Sequence, residues 1–207
     1  IAFAAPYDWK WFVLRSTDSL TVQPGASITT SDTIGLQGNE IDLQSGPGSL
    51  SANIFRIEPL NGQAFSLGTV GTPAVDLDAT DLAALNGNLL DITTWWSSQT
   101  SRVGSPTVIP GTIGEVTLRQ SGGSAELAVD AAFNSPQLSL DDWQTIRINA
   151  PIAAPQINLR PDAAGEAVLA SDLTGNVTLE QGTLRGTGTV FGSLGLNAGT
   201  SLAPGAS

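Results

Sequence analysis

The sequence has no cysteine, no histidine and no methionine, and Lys10 is its sole lysine. Without cysteine there is neither a disulfide nor a thiolate nucleophile. That fits an exported chain as well as a cytosolic one, because stacked solenoids gain stability from their rungs. Without histidine the commonest general base and the commonest transition-metal ligand are missing. Charged residues make up only 13% of the 207, with a formal net charge of −11, and the arginines stand singly along the chain. Phosphate contacts need clustered Lys and Arg, so a nucleic-acid partner is not expected. No run of 18 apolar residues exists, so no segment reads as a membrane-spanning helix.

What is abundant is Gly (23) and Pro (12), together with Thr, Ser, Asn and Leu. Long helices would want Lys, Glu, Gln and Met; many short strands and many turns want this mixture. Apolar–polar–apolar triplets recur: Leu20-Thr21-Val22, Ile34-Gly35-Leu36, Ile41-Asp42-Leu43, Val116-Thr117-Leu118, Leu138-Ser139-Leu140, Ile146-Arg147-Ile148, Ile157-Asn158-Leu159 and Val177-Thr178-Leu179. Period two, with a turn such as Gln23-Pro24-Gly25 or Ser45-Gly46-Pro47-Gly48 every few residues, predicts a chain that winds in polygonal coils. Inward residues then stack on their equivalents one coil later, about 4.8 Å away. At about 18 to 25 residues per coil the chain holds roughly eight to ten coils. The expected fold is all-β, a single-stranded parallel β-helix, or β-solenoid. Residues 1–17 read as an N-terminal cap or linker, and 18–207 as the β-helix, continuing past Ser207. The segment Thr80 to Leu85 reads as a short helix capped by Thr80 and ended by Asn86-Gly87.

Val177 to Gly205 is the most regular stretch. Gly182-Thr183-Leu184-Arg185-Gly186-Thr187-Gly188-Thr189-Val190, then Leu194, Leu196-Asn197-Ala198-Gly199 and Leu202-Ala203-Pro204-Gly205, resembles the passenger-associated strand repeat of bacterial autotransporters and related surface adhesins. Val75 to Leu85 with Leu89-Leu90-Asp91-Ile92 is similar, more loosely, to the repeats of filamentous-haemagglutinin-type exoproteins. The resemblance implies right-handed coils and a secreted, outer-membrane-associated location on a bacterial cell surface. It brings no active site. The opening Ala2-Phe3-Ala4 is similar to the end of a signal peptide, with an apolar first strand as the competing reading.

Several residues stand out as sites. Adjacent strand residues face opposite sides, so at most one of Trp95 and Trp96 points inward; the other packs under the following loop or is a contact site for a ligand or partner. Trp9 and Trp11, in the aromatic stretch Tyr7 to Leu14, belong to the cap or form a platform for sugar rings. Asp76 and Asp78 share a strand face if extended and, with Asp81 at the next turn, have the oxygen chemistry to hold Ca²⁺. A solvated acidic face is the competing reading, and no other cofactor is implied. Asp141-Asp142, near Arg147, invites comparison with β-helical pectin-degrading hydrolases. Those use a histidine that is missing here, and adjacent Asp residues do not flank a water as inverting hydrolysis requires. Arg119, Arg147, Arg160 and Arg185, at intervals near 28, 13 and 25, read as an outward ladder with Glu126, Asp142, Glu166 and Glu180.

The expected function is therefore non-enzymatic: a structural or adhesive β-solenoid of an exported bacterial surface protein, an adhesin stalk or filament. Its partners would be glycans or proteins of host or neighbouring cells, or further copies of itself, end to end. Two alternatives stay open: a carbohydrate-binding or polysaccharide-degrading β-helix, and a subunit of an extracellular homopolymeric filament or sheath.

Overall fold

The computed structural model describes residues 10–68 and 75–205. The protein is all-β, 56% strand and 3% helix, with its strands in parallel sheets. Among the described residues every strand pairing is parallel. A parallel partner cannot be reached through a tight hairpin, so the chain must travel away and come back between neighbours.

The return distance is short along the larger sheet, 17 to 26 residues at every step but one. Trp11 pairs with Thr33 and Thr33 with Ile54, steps of 22 and 21 residues. Ile54 pairs with Leu89 and Leu89 with Glu115, steps of 35 and 26. Val116 pairs with Leu138, Leu138 with Ile157, Ile157 with Val177, and Val177 with Leu194, steps of 22, 19, 20 and 17. The long step holds the helix Ala79–Ala84, the only one among the described residues, and the strands Phe65–Leu67 and Val75–Leu77. A second sheet repeats the pattern, with Ser101 on Leu127, Glu126 on Thr145, Thr145 on Glu166, Glu166 on Thr183 and Thr183 on Ser201.

Register and alternation together build the core. In the larger sheet, Ile34, Phe55, Leu90, Val116, Leu138, Ile157 and Val177 follow one another in one inward row. Leu36, Ile57, Ile92, Leu118, Leu140, Leu159 and Leu179 make the next, and every member of both rows is buried. From the second sheet, Val129, Ile148 and Leu169 face inward too. Burying one such side chain is worth about 1.5–3 kcal/mol, so these rows dominate the stability. Trp143 is the largest fully buried side chain among the described residues. Its ring meets Phe65 edge-on, centroids 6.1 Å apart, and its Nε1–H donates to the Leu118 carbonyl at 2.9 Å.

The sheet is already formed at Trp11–Arg15, inside the stretch read as cap or linker, and is in register with Thr33–Gly38. The helix is capped differently from the expectation. Asp78, not Thr80, is the N-cap, its carboxylate accepting from Thr80 N and Asp81 N while Asp81 reaches back to the Asp78 N–H. No Asn-Gly cap ends it: Leu85 leaves in extended conformation and pairs with Leu50. The charge ladder forms in part, across neighbouring strands, as Arg147–Glu126 at 2.8 Å, Arg160–Asp142 at 3.1 Å and Arg185–Glu166 at 2.7 Å, without Glu180. Arg119 pairs with Asp141, at 3.2 Å, because the two are register partners.

Candidate functional site

The eleven-residue strand Leu85–Trp95 alternates until its end: Leu90 and Ile92 point in, Asp91 and Thr93 point out. Thr94 is buried, and its hydroxyl donates to the Gln120 side-chain oxygen at 2.6 Å. Trp95 therefore points out, 45% exposed. Continued alternation would send Trp96 inward. Instead Trp96 takes φ 53°, the left-handed region, and the chain turns there, leaving its indole 78% exposed while Ser97 is buried. Neither indole is buried in the core, because the strand ends between them and the chain turns at Trp96.

Three contacts hold this turn. The Trp96 N–H donates to the Ser121 carbonyl at 3.0 Å, continuing the pairing of Trp95 with Ser121. The buried Gln120 amide donates to the carbonyls of Ser97 and Gly122. The six-membered part of the Trp96 ring lies over Gly122, where a Cβ would come within 2.7 Å of Cε3 and 2.8 Å of Cζ3. One indole face is seated on a peptide and the rest faces water. A left-handed conformation in a bulky residue costs about 1–3 kcal/mol and persists only where its surroundings enforce it.

Beside the pair runs a polar row on the outer face of the larger sheet. Asp91, Thr93, Thr117, Ser139 and Asp141 all point away from the core, yet all are buried among their neighbours. Arg56 lies 3.6 Å from Asp91, Thr93 donates to Asp91 at 2.8 Å, and Arg119 donates to Asp141 at 3.2 Å. Gln156 donates to Asn158 and Thr178, and Asn158 to Ser139. Burial pushes the Asp141 carboxyl above the ordinary aspartate range, with Arg119 opposing the rise. Asp141 and Asp142 end in separate ion pairs: strand pairing puts Asp141 on Arg119, and φ 61° at Asp142 turns its carboxylate to Arg160. Arg147, considered with them from the sequence, faces Glu126 on the other sheet.

The three candidate calcium ligands are not brought together. Asp76 lies in the strand Val75–Leu77, whereas Asp78 and Asp81 are N-cap and third residue of the helix. Asp81 spends one oxygen on Leu43 N, at 2.6 Å, and the other on Asp78 N, at 2.8 Å. Burial raises its pKa to about 6, against the lowering effect of those two N–H donors. Among the described residues no group of three or more His, Cys, Asp or Glu side chains is placed to hold a metal ion. Trp11 is 62% exposed at the start of the first strand, three strands and six positions along the sheet from Trp95. Trp9 lies outside the described residues.

The sequence singled out the tryptophan pair but not Gln120, Gly122 or the outer polar row. Gly122-Gly123 after a strand was the available signal for the seat under Trp96. Among the described residues no helix is long and apolar enough to cross a membrane. Comparison with protein-family models, with curated proteins and with solved structures gives no match.

Proposed function

We propose that this chain is a segment of a right-handed parallel β-helix that serves a structural and adhesive role on the outside of a bacterial cell. The observation that carries the reading is the stacked parallel register. Nine strands of the larger sheet, from Trp11–Arg15 to Leu194–Leu196, follow one another at steps of mostly 17 to 26 residues over continuous apolar rows. Stacked units that contact only their neighbours give length at constant cross-section, about 43 Å for nine strands at about 4.8 Å each. That is the geometry of a spacer. The export half of the proposal rests on the repeat-like stretch Val177 to Gly205, whose strands Thr183–Gly186, Leu194–Leu196 and Ser201–Pro204 continue both sheets. The carboxylate pair Asp141 and Asp142, each held by its own arginine, favours a non-enzymatic role.

Protease shaving and antibody labelling of intact cells that express the native protein test this reading. Surface labelling and loss of the epitope on shaving are expected; protection until lysis would overturn it.

A further inference from the structure

We infer that Trp95, Trp96 and the adjoining outer polar row form a binding site for a neutral oligosaccharide. The inference deepens the adhesive reading by naming the class of ligand, and relies on that reading only for where the ligand would be met.

The argument starts from Trp96. An indole this exposed is unfavourable in water, and a left-handed backbone under a bulky side chain is unfavourable in itself. Both occur at one residue, braced by the buried Thr94–Gln120–Ser97 bonds and by the flat seat on Gly122. The result is an aromatic plane positioned over Gly122 at its six-membered ring, with most of its surface open to solvent. Trp95, the preceding residue, adds a second exposed indole. Such planes stack on the C–H faces of sugar rings at little cost in side-chain entropy.

The polar row supplies the other half of what a sugar needs. Trp95 shares its outward direction with Thr93 and Asp91, two and four residues earlier. Thr93 pairs in register with Arg119, and Arg119 with Asp141, so a ligand seated on the indoles extends over the half-exposed guanidinium groups of Arg119 and Arg56, whose partner carboxylates stay buried beneath them. Their charges are already matched: Arg56 with Asp91 and Arg119 with Asp141. Guanidinium groups matched in this way keep N–H donors for hydroxyls without the unpaired positive charge that would select carboxylates or sulfates. The net charge of −11 repels polyanions further. A neutral glycan is the occupant that fits both the aromatic and the electrostatic side.

The test uses the purified chain and a panel of neutral oligosaccharides of glucose, galactose, mannose and N-acetylglucosamine, with heparin as the polyanionic probe. Tryptophan fluorescence and calorimetry are read at up to about 10 mM ligand, above the roughly millimolar Kd expected of a contact of a few rings. At least one neutral ligand should bind the wild type. Trp96→Ala and Trp95→Ala should each weaken it by about tenfold or more, while Trp11→Ala, an exposed tryptophan elsewhere on the sheet, leaves the affinity unchanged. Circular dichroism on each variant establishes that it folds, and Trp96→Tyr, which keeps an aromatic face, should retain part of the affinity. Failure of every neutral ligand, binding of heparin alone, or equal binding by Trp96→Ala would each overturn the inference. None of these touches the surface-labelling result, so a failed ligand site and a failed adhesive reading are told apart.

Discussion

The Trp96 ring lies over Gly122, which follows the next strand of the larger sheet, so closely that a Cβ at 122 would come within 2.7 Å of the ring. Gly122 also takes φ 73°, so any side chain there is strained twice. Gly122→Ala should therefore destabilise by about 1–3 kcal/mol and shift the tryptophan emission as the indole is lifted. Trp96→Asn is the counterpart, because Asn tolerates the left-handed region. It should leave the melting temperature unchanged or raise it. A fall of more than about 1 kcal/mol in Trp96→Asn would show that Trp96 stabilises the fold rather than being held by it.

Leu118 and Leu140 are register partners on successive strands, both fully buried. Each change to Ala should cost about 2–5 kcal/mol by urea denaturation. Because the two cavities share a wall, the double variant should depart from additivity by about 0.5–3 kcal/mol. Strict additivity would mean that the side chains do not touch across the strands.

Asp81 titrates with a pKa raised from 3.8 to about 6, chiefly by burial, so its native state prefers the protonated form. Between these values the folded protein binds more protons than the unfolded chain, and stability falls as pH rises. The contribution is full below about pH 4, is lost through about pH 6 and is flat above, amounting to at most about 3 kcal/mol. Melting temperatures of wild type and Asp81→Asn across this range provide the check. The asparagine keeps an oxygen for Leu43 N, and the difference between the two curves should show the drop.

Calcium should not stabilise the protein through Asp76, Asp78 and Asp81, because backbone N–H groups already occupy both oxygens of Asp81 and one of Asp78. Melts in excess Ca²⁺ and in chelator should coincide. A rise in melting temperature with Ca²⁺, abolished in Asp78→Asn, would show that the cap rearranges around the ion.

How much of this was legible in the sequence follows from which signals are local. Triplets such as Ile34-Gly35-Leu36 and Leu138-Ser139-Leu140 carry alternation on their face, and they are inward–outward–inward strands. Two-residue strands such as Thr107–Val108 and Phe133–Asn134 are too short to show a period. Only their partners in register make them strands. The burial of Trp143 depends on Phe65 and the Leu118 carbonyl, 78 and 25 residues away in sequence, which no local pattern announces. The ladder arginines were readable as a spacing, but Arg119 chose Asp141 because the register puts it there. At the tryptophan pair the alternation rule failed at the one residue with a bulky side chain at φ 53°, a conformation no propensity would assign it.

Parallel stacking in a fixed register is the claim on which the rest depends, and a chain without native cysteine allows it to be tested by cross-linking. Thr117 pairs with Ser139 and Arg119 with Asp141. Facing positions on adjacent strands lie about 4.8 Å apart, within disulfide reach, whereas the crossed combinations lie about 8 Å apart, beyond it. Under mild oxidation, Thr117→Cys with Ser139→Cys and Arg119→Cys with Asp141→Cys should each close a disulfide. Thr117→Cys with Asp141→Cys and Arg119→Cys with Ser139→Cys should stay reduced. Closure of the crossed pairs in place of the facing ones would mean antiparallel strands and would contradict the stacked-coil account.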